Sequence, residues 1–257
     1  MELLNYYLQM PERCLLNRRV TKAFFKRNFD LTISEKGLLD NTSAFATITW
    51  LASINPGNAN VPAFSESQMM FEELQVITVE MEETDFSVNY PKIAELIQKH
   101  IPYPILLALH NKQSLVLNTC NKVINQNDAS RRLVEKRFFT QEILVNTADE
   151  NHLAFLKSLT FANLDKTNLK TLYEGYTERI INLQTAGVTG VFEPRPQYRT
   201  RDDMKNLELI DTLRREISDL QSKAKKETQL REQVNINTQI HTKRREIERL
   251  TALVHQV

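Results

Sequence analysis

The chain has 257 residues, 41% of them hydrophobic and 25% charged, which suits one sizeable core plus an appendage and excludes wholesale disorder. A formal net charge of +1 gives no global pull toward nucleic acid or an anionic membrane. Only Cys14 and Cys120 occur, without a CxxC spacing, so a disulfide scaffold is excluded and a reducing, cytoplasmic setting is expected.

The N-terminal segment lacks the basic, apolar and small-residue regions of a secretory signal. Residues 15–29 place Leu16, Val20, Ala23 and Phe24 at helical spacing, with basic side chains on the remaining face, and predict a helix. Ser34 is read as the cap of a short helix through Leu39. Residues 44–54, rich in β-branched and aromatic side chains, predict a strand ended by the turn signal Asn55-Pro56-Gly57-Asn58. A polar loop to Gln68 follows, and residues 71–81 form a nearly continuous apolar run of the kind found in buried strands.

Pro91 suits the first turn of a helix whose apolar face is Ile93, Ala94, Leu96, Ile97 and Ile101. Pro102 and Pro104 stop it, because proline disfavours the helical region in the residue before it. They also interrupt the longest apolar run, residues 101–109, which falls well short of the roughly 20 residues a membrane span needs. Residues 105–109 and 115–119 predict a hairpin turning at Asn111-Lys112, and 133–139 a further strand. From Leu153 to Leu183 the apolar period changes to that of two helices, closed near Gly187 and Gly190. Residues 191–200, containing Pro194 and Pro196, form a stiffened linker.

Residues 201–257 hold neither proline nor glycine and form one long helical pattern. Ile210, Leu213, Ile217, Leu220 and Ala224 mark a heptad seam, and Ile236, Ile240, Ile247, Leu250 and Val254 mark a second. The two are out of register, so residues 225–235 hold either a stutter or a turn between two helices. A narrow apolar stripe on so long and charged an element predicts a coiled coil with a partner or a second copy. Ile210, Leu213, Ile217, Leu220, Ile236, Ile240, Ile247 and Leu250 are the candidate partner-binding residues.

The chemistry-bearing residues are sparse. None of the five histidines lies within zinc-ligand spacing of another histidine or cysteine, and five glycines leave no phosphate-cradling loop. Arg18, Arg19, Lys22, Lys26 and Arg27 could neutralise phosphates, which makes DNA a candidate partner of the basic face. Glu73, Glu80 and Glu82 sit in and around an apolar strand in a helix, strand, strand, helix, strand order. That order is used by metal-dependent nucleases of the PD-(D/E)xK type, where clustered carboxylates hold Mg²⁺ and a lysine helps activate water. Glu82 stands where that lysine is needed. Mg²⁺ therefore enters only under a nuclease alternative, and otherwise no cofactor and no resident metal are expected.

Leu31-Thr32, Ser34-Glu35-Lys36-Gly37-Leu38-Leu39, Ile48-Thr49-Trp50-Leu51 and Gln75-Val76-Ile77-Thr78-Val79-Glu80 form a recognisable set with Ile101-Pro102-Tyr103-Pro104-Ile105-Leu106 and the stretch from Lys226-Glu227 to Asn235-Ile236-Asn237. Together they resemble an uncharacterised bacterial family, a domain of unknown function encoded in anti-phage defence islands beside helicases and DNA methyltransferases. The resemblance implies a cytoplasmic accessory protein with a helicase or methyltransferase partner, and it supplies no catalytic residues. In that family the strand ending at Glu80 often continues into a lysine; Glu82 departs from the pattern.

The expected fold is α+β with an α/β-like start: a small mixed sheet flanked by helices over residues 1–145, a helical segment over 146–190, the linker over 191–200 and a coiled-coil arm over 201–257. The expected function is a non-catalytic adaptor that binds its partner through the arm, without membrane insertion. A degenerate nuclease and a structural homodimer are the alternatives.

Overall fold

A computed structural model describes residues 2–41, 47–66, 68–145 and 149–255. The chain divides into two compact units, residues 1–180 and 181–257, and the segment 146–190 is shared between them. No helix among the described residues is long and apolar enough to cross a membrane.

The first unit opens with α1 (Glu2–Leu8), β1 (Leu15–Val20), α2 (Lys22–Asn28), α3 (Ile33–Asp40) and β2 (Thr47–Ile54). A one-turn α4 (Pro56–Ala59) and a small hairpin, β3 (Phe64–Glu66) with β4 (Met69–Phe71), lead to β5 (Leu74–Glu80), α5 (Phe86–His100) and β6 (Ile105–His110). A long ribbon, β7 (Ser114–Asn125) and β8 (Asp128–Phe139), precedes β9 (Ile143–Leu144), α6 (Glu150–Ser158) and α7 (Leu169–Thr189), which crosses into the second unit.

Seven strands form one mixed sheet in the order β1-β2-β5-β6-β7-β8, with β9 on β7. Among the described residues only β5 and β6 pair in parallel, and α5 is the crossover that parallel pairing requires. Helices cover both faces, so β5 and β6 are buried along nearly their whole lengths, and this produces their unbroken apolar sequences. One buried cluster joins Ile77, Val79, Leu107 and Leu109 of the sheet to Ile93, Leu96 and Ile97 of α5 and to Phe25 and Leu39.

Several local expectations are corrected. The helix over 15–29 is instead β1 followed by α2. Asn17 adopts a positive φ of 48° at a register shift between Leu15 and Arg18, which breaks the two-residue alternation and lets apolar positions mimic helical spacing. Thr21 then caps α2 by accepting from Phe24 N–H at 3.2 Å. The cap of α3 is Thr32 rather than Ser34, in a reciprocal capping box with Glu35. Pro91 lies inside α5, which starts at Phe86, and not in its first turn. Residues 44–46 of the expected strand lie outside the described residues. Strands β7 and β8 run much further than 115–119 and 133–139, into polar sequence that turns at Gln126-Asn127.

In the second unit, α7 ends at Gly190, whose φ of 83° suits a residue without a Cβ. Helix α8 (Gln197–Lys226) begins within the expected linker, directly after Pro196, and α9 (Leu230–His255) follows a break at Glu227–Gln229. The Glu227 carboxylate accepts from the backbone N–H groups of Thr228 and Gln229 at 2.8 and 2.9 Å and steadies that break. The long pattern is therefore an antiparallel hairpin.

Candidate functional site

The two seams meet inside this hairpin. Ile217, Ile236 and Ile240 form a buried cluster, with Leu220, Ala224 and Ile247 packed against it, while Ile210 and Leu250 are also buried and Leu213 is half-buried. The register mismatch is what folding back produces, because each helix shows its stripe to the other. This corrects the expectation of an uncovered seam: the residues picked as partner-binding are the hairpin's own core.

The open end of the hairpin is closed by charge. Arg195 Nη1 stands 2.7 Å from Asp203 Oδ2 and donates to the Val254 carbonyl at 2.9 Å. Arg199 donates to the Leu253 carbonyl and pairs with the other Asp203 oxygen at 3.3 Å. Two guanidinium groups thus meet the carbonyl end of α9, where the helix dipole favours cations, and fully buried Asp203 balances them. Lys243 and Glu216 bridge the two helices further along at 2.6 Å. Sequence reading missed this clamp; its one visible signal is the Arg199–Asp203 spacing of four on a helix.

What the hairpin leaves outward is mostly charged or polar; among its described residues the exposed large apolar side chains are Tyr198 near the start of α8 and, further along, Leu209, Leu230 and Val234, which are 52%, 75% and 58% exposed. Lys223, Lys225, Lys226 and Arg231 are exposed where α8 passes into α9.

In the first unit, the five candidate phosphate contacts do not share a helix face. Arg18 and Arg19 are exposed on edge strand β1, opposite Trp50 and Thr49, and so point to opposite sides of the sheet. Lys22, Lys26 and Arg27 lie on α2, where Lys26 pairs with Asp40 at 2.5 Å and Arg27 bonds the Ala23 carbonyl. Nearby, Glu35 joins α3 to α5 by accepting from Lys99 at 2.8 Å and lying 3.0 Å from His100 Nε2. Burial pushes its carboxyl up, but the hydrogen bonds from Lys99, from Thr32 and from His100 outweigh that and hold it down to about 2.

The three carboxylates of the nuclease alternative are separated. Glu73 precedes β5 and Glu80 ends it, so the seven-residue step spans about 23 Å at strand rise, too far to share one ion. Glu80 and Glu82 are exposed, whereas Glu73 accepts the Ser53 hydroxyl across β2. Buried Gln75 accepts the Trp50 indole N–H beside that pair. Among the described residues no group of three or more His, Cys, Asp or Glu side chains could hold a metal ion. The residues present do not fit the Mg²⁺ cluster of that alternative.

No curated protein and no solved structure matches the chain. A family model described as "Domain of unknown function (DUF4391)" matches residues 8–247, which takes in the whole sheet and most of the hairpin. The chain belongs to the DUF4391 family.

Proposed function

We propose that this protein is a non-catalytic accessory subunit of a bacterial anti-phage defence complex, working in the cytoplasm and engaging a helicase or DNA methyltransferase through its C-terminal hairpin. The observation that carries this reading is the self-sufficiency of the hairpin. Its seam is filled by its own isoleucines and its open end is clamped by Arg195, Arg199 and Asp203, so its outward faces are not needed to hold it together. Those faces present Leu209, Leu230 and Val234 among charges, an apolar-and-charged mixture suited to a partner surface. The resemblance to families encoded beside helicases and methyltransferases supplies the class of partner.

The test uses full-length protein tagged in its native host. A helicase or methyltransferase should co-purify, and the triple variant Leu209→Glu, Leu230→Glu, Val234→Glu should lose it while its circular dichroism stays unchanged. Retention of the same partner by the variant overturns the reading. A pure dimer by light scattering, with no other protein bound, would replace it with the homodimer, and Mg²⁺-dependent DNA cleavage abolished by Glu80→Ala would replace it with the nuclease.

A further inference from the structure

The Ile101-Pro102-Tyr103-Pro104 segment between α5 and β6 has a cation beneath it. Lys122 Nζ on β7 donates to the carbonyl oxygens of Ile101 and Tyr103, each at 2.7 Å. An ammonium carries three N–H bonds, and the third has no acceptor among the described residues. The same lysine lines a cavity of about 110 Å³ in the first unit. Burial is the main cause that brings the ammonium down to about 8; the charge interaction with Cys120 works against it, and the Arg132 guanidinium, which lines the same cavity, works with it.

Two carboxylates share that lining, Glu135 from β8 and Glu174 from α7, so its formal charges balance two against two. A dianionic phosphate would meet both carboxylates and is disfavoured; a ligand carrying one negative and one positive group matches both pairs. The remaining wall, with Met69, Phe71 and Tyr173, is apolar and takes an uncharged body. We infer that this cavity binds a small free α-amino acid, with its carboxylate on Lys122 and Arg132, its ammonium toward Glu135 and Glu174, and its side chain against Met69 and Phe71.

Isothermal titration of the full chain tests this with L-alanine and L-methionine as probes, set against propionate, which lacks the ammonium, propylamine, which lacks the carboxylate, and inorganic phosphate. Saturable binding of at least one amino acid is expected, at least tenfold tighter than propionate, propylamine or phosphate and lost in Lys122→Met. Glu135 is exposed, so Glu135→Gln leaves the fold intact even where the lysine variant does not. It should weaken the amino acid at least fivefold and leave propionate unchanged. Absence of saturable binding, phosphate binding as tightly as the amino acids, or an amino-acid affinity indifferent to Glu135→Gln overturns the assignment.

Discussion

The phenolic oxygen of Tyr173 lies 2.9 Å from both the backbone N–H and the carbonyl oxygen of Cys120, accepting from the first and donating to the second. By the antiparallel register, Cys120 of β7 stands opposite Ile105, the first residue of β6, and the Ile105 carbonyl is 3.3 Å from the same hydroxyl. One side chain thus replaces a missing rung of the ladder and fastens α7 to the sheet. Burial holds the phenol well above its ordinary range, so it stays a neutral donor.

Tyr173→Phe keeps the ring and removes that rung, leaving the Cys120 N–H buried without a partner. The expected cost is about 1–3 kcal/mol, read as a lower urea midpoint with an unchanged slope. Unchanged stability would mean that water or a shifted strand satisfies the gap.

Glu35 predicts a pH dependence of known sign. Its carboxyl titrates near 2 in the folded chain and at about 4.3 when unfolded, so its contribution is fully present above the unfolded value and is lost as pH falls from about 4.3 through 2. Other acidic groups titrate in the same window, so the measurement is the difference between the wild-type and Glu35→Gln stability curves. That difference should be flat above pH 5 and shrink below 4. A constant difference down to pH 2 would show that Glu35 acts through its capping geometry alone.

How much of this was legible in the sequence depended on whether a residue's role was local. The crossover from α5 to β6 could be read because Pro102 and Pro104 mark its end and β6 is apolar on both faces. Strand β1 could not, because the positive φ at Asn17 breaks the alternation by which a strand is recognised. The outer halves of β7 and β8 were hidden for the opposite reason: their polar residues lie beyond the core and keep no apolar pattern. The two heptad seams were visible residue by residue, but an apolar stripe does not say which stripe will cover it. The break at Glu227–Gln229 carries no proline or glycine, so only the register mismatch pointed to it. The clamp and the Lys122 cavity join residues far apart in the chain and left almost no local trace.

The hairpin contains two kinds of ion pair that respond differently to removal. Lys243 and Glu216 are 29% and 48% exposed, so solvent screens them and Lys243→Ala should cost less than about 1 kcal/mol. Asp203 is fully buried against Arg195, itself 7% exposed along its side chain, and Asp203→Ala strands a buried cation beside the carbonyl end of α9. Loss of one partner of a buried pair costs about 3–5 kcal/mol, several times the exposed bridge. Hydrogen exchange distinguishes them: Asp203→Ala should strip protection from the last turns of α9, while Lys243→Ala leaves the pattern nearly as in the wild type. Equal effects of the two substitutions would mean that the clamp is open to water and that the hairpin is held by its isoleucine seam alone.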